Sequence, residues 1–296
     1  MKSQTKQQSI VGDVIKKALD VLLYSNIWMA FCALCLCSQT QLLLHGDIAL
    51  TPVVLCTTCG VFVIYGLHRW VGLSRLKTGE PNSKFLVIYR LRYWIAGTTG
   101  LGVIGLAISI TQMSLTLLSL FSVPGIVALA YVVPIKNGKR LRDMGLVKIF
   151  ALTLTWAWLT TVVPALEQQE SPKLALAWMF IERLLFLFAI AMAFDMRDIN
   201  IDQHYEVKTL PQYFGLDKSK VAACFSLIGM VAFASINAIR GTYSLCQLSA
   251  LCASAFGTAW LIANIHKDST EYYYSGLIDG MLPLQLLLII VGQKFC

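Results

Sequence analysis

Long apolar stretches separated by short polar ones dominate the chain. A helix of about twenty apolar residues spans the hydrocarbon core of a bilayer. The pattern predicts nine such helices, near residues 22–44, 52–73, 93–111, 114–133, 147–165, 174–196, 219–239, 244–265 and 272–292. The predicted fold class is therefore all-α, a multi-pass integral membrane protein with about nine transmembrane helices. No linker or low-complexity tract divides the chain, so residues 1–296 are expected to form a single transmembrane domain.

Composition and charge support this picture and add an orientation. Of the 296 residues, 57% are hydrophobic and 14% charged, which excludes a soluble globular protein. Most of the 24 Lys and Arg residues fall on the side of the membrane that holds the N-terminus. Basic residues concentrate on the cytoplasmic side of membrane proteins, so this side is predicted to be cytoplasmic. The net charge of +8 then reflects topology, and no nucleic acid partner is needed to explain it.

The longer polar connections lie on the same predicted side. They cover residues 74–92, 134–146 and 197–218, whereas the connections on the opposite side are short. Loops carry function more often than the helices that they join. We therefore expect the active-site face to be cytoplasmic, in a protein of a bacterial inner (plasma) membrane.

Three aspartates, Asp195, Asp198 and Asp202, lie where the sixth predicted helix meets the last of these connections. Their spacings of three, four and seven residues place all three on one face of a helix. Like charges on one helix face repel, so the cluster needs a cation, and hard carboxylate oxygens at a wet interface suit Mg²⁺. The alternative is a solvated acidic turn beside a membrane helix.

The aspartates are followed, seven residues after Asp202, by the sequence Thr-Leu-Pro at 209–211. This pattern resembles the second aspartate-rich motif of the UbiA-type intramembrane prenyltransferases. The resemblance implies helices around a central cavity. It also implies Mg²⁺-dependent transfer of a prenyl group from an allylic (isoprenoid) diphosphate to a lipophilic or aromatic acceptor within the membrane lipid. Asp195, Asp198 and Asp202 would then be the catalytic metal ligands.

The first aspartate-rich motif of that family has no counterpart here. It would lie where the second predicted helix ends, and this chain has His68 and Arg69 there without any carboxylate. Arginine makes strong, often bidentate hydrogen bonds to phosphate, so both residues are candidate diphosphate contacts. The alternative is an ordinary basic end of a membrane helix.

Further candidates for substrate binding are polar residues at the ends of predicted helices or inside them. They are Lys136, Lys139, Arg140, Arg197, Asn26 and Asp279. The two lysines and Arg140 suit a diphosphate clamp, although topology alone also favours basic residues there. Asn26 is expected either to face an internal cavity or to bond a neighbouring helix. Asp279 lies inside the ninth predicted helix, where an ionisable group faces a cavity or a partner.

Three functional accounts remain open at this stage. The chain is a prenyltransferase in which basic residues replace the first motif, a non-catalytic binder of a prenyl or lipid diphosphate, or a transport or scaffold protein on the same frame. Fold alone does not choose among them.

Overall fold

The computed structural model describes residues 16–74, 83–134, 140–168, 173–204, 207–266 and 268–294. Within these residues, nine helices are long and apolar enough to cross a membrane, which confirms the predicted fold class. We number them in chain order: α1 Ile27–His45, α2 Pro52–Ser74, α3 Arg92–Thr111, α4 Leu115–Val132, α5 Gly145–Glu167, α6 Lys173–Arg197, α7 Leu210–Ile239, α8 Leu245–Ala263 and α9 Tyr273–Gln293.

α6 is, together with α1, one of the two most buried membrane helices. The most extensive contacts of α6 are with α7, and α5 also packs against it. Met179, Phe186 and Met192 of α6 are fully or almost fully buried in one large apolar core. In contrast, α3 and α4 are mostly exposed, and the exposed side chains of α4 include Leu115 and Val123. Apolar side chains on the outside of a membrane protein contact lipid, so α3 and α4 form part of the lipid-facing surface.

One end of the bundle carries the short helices. The even-numbered helices end there and the odd-numbered ones begin there, and we call it the aspartate end because α6 ends in the aspartate-rich segment. Helical residues 16–24 precede α1, Ser83–Arg90 precedes α3, the 3₁₀ turn Leu141–Asp143 precedes α5, and Ile199–His204 follows α6.

Two helix boundaries differ from the sequence prediction, and each difference has a local cause. α7 begins at Leu210 instead of near residue 219, with Pro211 in its first turn and a kink at Gly215, whose φ is 78°. Proline suits the first turn of a helix, and glycine tolerates a positive φ. α1 begins at Ile27 because Asn26 is left-handed, with φ 71°, and separates it from helical residues 16–24.

Glycine brings α2 and α3 close together. A Cβ atom at Gly102 of α3 would lie 2.7 Å from the Cβ atom of Phe62 and 3.1 Å from the backbone oxygen of Cys59, both on α2. Small residues at such contacts let membrane helices pack tightly.

Candidate active site

The three aspartates lie where α6 runs into the short helix Ile199–His204. Asp195 is in the last turn of α6, Asp198 is in the turn between the helices, and Asp202 is on the short helix. The backbone N–H of Asp198 donates to the oxygen of Phe194 over 3.0 Å, and that of Asp202 donates to the oxygen of Asp198 over 2.8 Å. Because helical hydrogen bonding continues through the turn, the segment keeps the aspartates close together.

Asp195 and Asp202 share one cation, Lys148 in the first turns of α5. Its Nζ atom lies 3.0 Å from Asp195 Oδ1 and 2.7 Å from Asp202 Oδ2. The three side chains are only 7%, 11% and 13% exposed, in the order Lys148, Asp195, Asp202. Burial raises the pKa of Asp202 above its ordinary value, while the hydrogen bond from Lys148 opposes that shift. The ammonium therefore compensates two carboxylates that would otherwise repel each other.

The carboxylate of Asp198 instead contacts two arginines, Arg197 and Arg142. Arg197 donates to its two carboxylate oxygens over 2.7 and 3.0 Å, and an Nη atom of Arg142 lies 3.9 Å from Asp198 Oδ2. Arg197 also donates to Glu271 over 3.1 Å, just before α9. The Cζ atom of Arg197 lies 4.8 Å from the ring centroid of Phe194. Arg197 thus connects the end of α6 to the start of α9.

Arg142 lies between Asp198 and His68, which is near the C-terminal end of α2. It hydrogen-bonds His68 Nε2, and its side chain is 35% exposed. Since a guanidinium only donates, His68 Nε2 accepts in this pair. Arg142 and Lys148 are candidate functional residues that sequence reasoning missed. The available signal was the repulsion among the aspartates, which calls for basic residues at a neighbouring helix end.

Arg69 and Asn26 form a separate contact. The guanidinium of Arg69 donates to Asn26 Oδ1 and, over 3.2 Å, to the backbone oxygen of Leu23. Its Cζ atom also lies 5.9 Å from the ring centroid of Tyr24. Asn26 is fully buried, and so of its two predicted roles the described contacts match the bond to a neighbouring helix. Arg69 thereby fastens α2 to the break before α1.

The remaining candidates are spread over three places. Arg140 is buried and pairs with Asp143, its Nη2 lying 2.8 Å from Asp143 Oδ1. Lys136 and Lys139 lie outside the described residues. Asp279 is 5% exposed and follows the π-helical first turn of α9. Its backbone oxygen accepts from the thiol of Cys32 on α1 over 3.7 Å.

Two of the three aspartates are placed to bind one cation between them, whereas the three together do not form a three-carboxylate metal site. Among the described residues, no three His, Cys, Asp or Glu side chains converge as metal ligands do. Asp195 and Asp202 do converge, and the ammonium of Lys148 lies between them. Mg²⁺ is commonly held by one or two carboxylates together with substrate phosphates. Two of the three predicted metal ligands are therefore brought together, and the third faces arginines.

Known proteins relate the chain to one family. A model described as the UbiA prenyltransferase family matches residues 88–275, well over half of the chain. No curated protein sequence matches the chain.

Solved structures agree with this match at the level of fold. A UbiA homologue from Aeropyrum pernix K1 has a TM-score of 0.64 at 12% identity, over 90% of this chain and 96% of that one. A UbiA homologue from Archaeoglobus fulgidus bound to Cd²⁺ has a TM-score of 0.58 at 10% identity, over 92% and 99%. A structure concerning digeranylgeranylglyceryl phosphate synthase in membranes has a TM-score of 0.55 at 13% identity, over 95% and 100%.

Proposed function

The chain belongs to the UbiA prenyltransferase family, and we propose that it transfers a prenyl group from an allylic prenyl diphosphate to a lipophilic or aromatic acceptor within the membrane. The allylic C–O bond breaks and diphosphate leaves with the electron pair. The acceptor then forms a bond to the allylic carbon and loses a proton. The aspartate end of the bundle is the proposed site.

One observation carries this proposal: the aspartate-rich segment is surrounded by cations that suit a diphosphate. Arg142 is the most exposed of them, at 35%, and lies beside both Asp198 and His68. A guanidinium can donate two parallel hydrogen bonds to phosphate oxygens, which favours the charge that develops on a leaving diphosphate. Arg142 would bind and orient the diphosphate, while Arg197 holds the end of α6 in place through Asp198 and Glu271.

We propose Mg²⁺ as the cofactor, held by Asp195 and Asp202. Support comes from their convergence on one cation and from the Cd²⁺ bound by the Archaeoglobus fulgidus homologue. When bound, Mg²⁺ would neutralise charge on the departing diphosphate. Asp198 would act on the site indirectly, by orienting Arg142 and Arg197.

The orientation and location are also proposals. The excess of Lys and Arg on one side supports a cytoplasmic aspartate end. A diphosphate donor made in the cytoplasm would then reach the site from water, with its prenyl chain in the lipid. We keep the bacterial inner membrane as the proposed location.

The test is turnover by the purified protein. Labelled geranylgeranyl or longer prenyl diphosphates are incubated with Mg²⁺ and a panel of aromatic acceptors, and both released diphosphate and labelled lipid are measured. We expect release that is lost in Arg142→Met and retained in Lys218→Met, which removes an exposed charge at the same end of the bundle.

A non-catalytic binder of prenyl or lipid diphosphates is the second candidate. It is favoured by the C-terminal end of α2, where His68 and Arg69 occupy the place of the family's first aspartate-rich motif and the described residues hold no group of three metal-ligating side chains. Tight, Mg²⁺-dependent binding of prenyl diphosphate without release under any acceptor would select this candidate and contradict the enzyme.

A further inference from the structure

Lys148 is the only one of the described cations that contacts both ends of the aspartate-rich segment. Its ammonium lies 3.0 Å from Asp195 and 2.7 Å from Asp202, and its side chain is 7% exposed. A metal ion bound by both carboxylates would lie close to this ammonium, because the ammonium contacts one oxygen of each carboxylate. Two cations that bind the same pair of carboxylates repel each other.

We propose that Lys148 is a resident cation that couples metal binding to diphosphate binding. The ammonium holds Asp195 and Asp202 together when no substrate is present, and it moves to the diphosphate when substrate arrives. That movement releases both carboxylates for one divalent cation. This inference rests on the proposed function, because it assigns Lys148 a regulatory role in the same site.

The chemistry of lysine suits this role. Its compact charge is carried on a flexible four-carbon stem, so the ammonium can change partners without movement of the helix. A diphosphate offers more negative charge than one carboxylate, and ammonium–phosphate hydrogen bonds are charge-assisted. Hydrogen bonds to the diphosphate therefore replace the contacts that the ammonium loses with Asp195 and Asp202.

The surroundings explain why Lys148, and no other cation, is placed to do this. Asp198 is held by Arg197 through two hydrogen bonds, and Arg197 is also held by Glu271. Lys148 in turn contacts Asp195 and Asp202, so we assign the exchange to these two carboxylates. Coupling between two ligands is reciprocal, so diphosphate must raise the affinity for metal by the factor by which metal raises the affinity for diphosphate.

The first experiment measures Mg²⁺ binding by calorimetry in detergent, without diphosphate. In Lys148→Met the carboxylates lose the cation that contacts both of them, and we expect Mg²⁺ to bind at least about tenfold more tightly than in the wild type, a typical size for coupled sites. Lys148→Arg keeps the charge and is expected to bind Mg²⁺ as weakly as the wild type. Lys218→Met is the control for loss of charge and is expected to have no effect.

The second experiment repeats the titration with a prenyl thiolodiphosphate, which resists ionisation. We expect this analogue to tighten Mg²⁺ binding in the wild type and to have little effect in Lys148→Met. Equal Mg²⁺ affinities of wild type and Lys148→Met would overturn the inference.

A third measurement needs no variant, in case Lys148→Met does not fold. The rate at which an amine-acylating reagent modifies Lys148 in the wild type is followed by mass spectrometry, with Lys218 as the internal reference. We expect Mg²⁺ with the analogue to change the rate at Lys148 alone, and an unchanged rate would overturn the inference. Absence of turnover would contradict the proposed enzyme but leave all three results interpretable.

Discussion

Arg69→Met tests whether Arg69, near the C-terminal end of α2, stabilises the fold or contacts substrate. The wild-type guanidinium donates to Asn26 Oδ1 and to the backbone oxygen of Leu23 over 3.2 Å, and it lies 5.9 Å from the Tyr24 ring. Asn26 is fully buried, so its carbonyl oxygen would have no water to replace the lost donor. Methionine keeps the length and the apolar stem, so the substitution mainly removes the charge and the donors.

The magnitude follows from these contacts. A hydrogen bond to a charged group contributes about 1.5–3 kcal/mol in soluble proteins, whereas side-chain hydrogen bonds in membranes average about 0.6 kcal/mol. With two bonds and a contact to an aromatic ring, we expect Arg69→Met to lower the free energy of unfolding by about 2–4 kcal/mol. Arg142 is 35% exposed, so Arg142→Met should cost about 1 kcal/mol or less.

The assay is unfolding in mixed micelles of dodecyl sulfate and maltoside, followed by tryptophan fluorescence, together with prenyl diphosphate binding by the folded fraction. We expect Arg69→Met to be less stable than the wild type and to bind prenyl diphosphate normally. We expect Arg142→Met to be nearly as stable as the wild type and to bind prenyl diphosphate weakly. A double-mutant cycle with Asn26→Ala should give coupling of about 1–2 kcal/mol. If Arg69→Met unfolds like the wild type but no longer binds prenyl diphosphate, Arg69 is a substrate contact and our assignment is wrong.

Gly102→Val should lower the thermal unfolding midpoint, because overpacking of a tight contact costs about 1–3 kcal/mol, whereas Gly100→Val on the same helix has open space and should not. Asp198→Ala should weaken binding of prenyl diphosphate and also destabilise the fold by about 1–3 kcal/mol, since it leaves the neighbouring arginine without its bidentate partner; normal binding would contradict this. Metal analysis with the diphosphate analogue should give about one Mg²⁺ per chain, since one carboxylate pair converges. Single cysteines at Lys218 and Arg240 should label from opposite sides of the membrane, with Lys218 cytoplasmic.

The number and approximate position of the membrane helices could be predicted because bilayer thickness fixes how long an apolar stretch must be. The boundaries that were missed depend on the backbone of single residues. Asn26 ends one helix before α1 begins, and Gly215 lets a helix that starts at Leu210 continue through a kink. Hydropathy is averaged over many residues, so it gives no information on the φ angle of a single residue such as Asn26 or Gly215.

The aspartates could be predicted as a functional cluster because their spacing and the Thr-Leu-Pro sequence lie within one segment. Lys148 and Arg142 could not, since the excess of basic residues on one side already accounts for any lysine or arginine at a helix end. Only the packing of α5 against α6 brings Lys148 between Asp195 and Asp202. Likewise, nothing in the sequence indicated that His68 would contact Arg142 while Arg69 contacted Asn26, in the break before α1.

The charges at the aspartate end determine what a diphosphate must bring with it. Within the described part of the chain, one connected cluster of ion pairs there joins Asp195, Asp198, Asp202 and Glu271 to Lys148, Arg142 and Arg197. These charges sum to one negative charge, so the cluster by itself has no excess positive charge with which to attract a diphosphate. A diphosphate can take Lys148 and Arg142 only by leaving their carboxylates uncompensated in a partly buried place, which is costly. A divalent cation that enters with the diphosphate and takes Asp195 and Asp202 removes that cost.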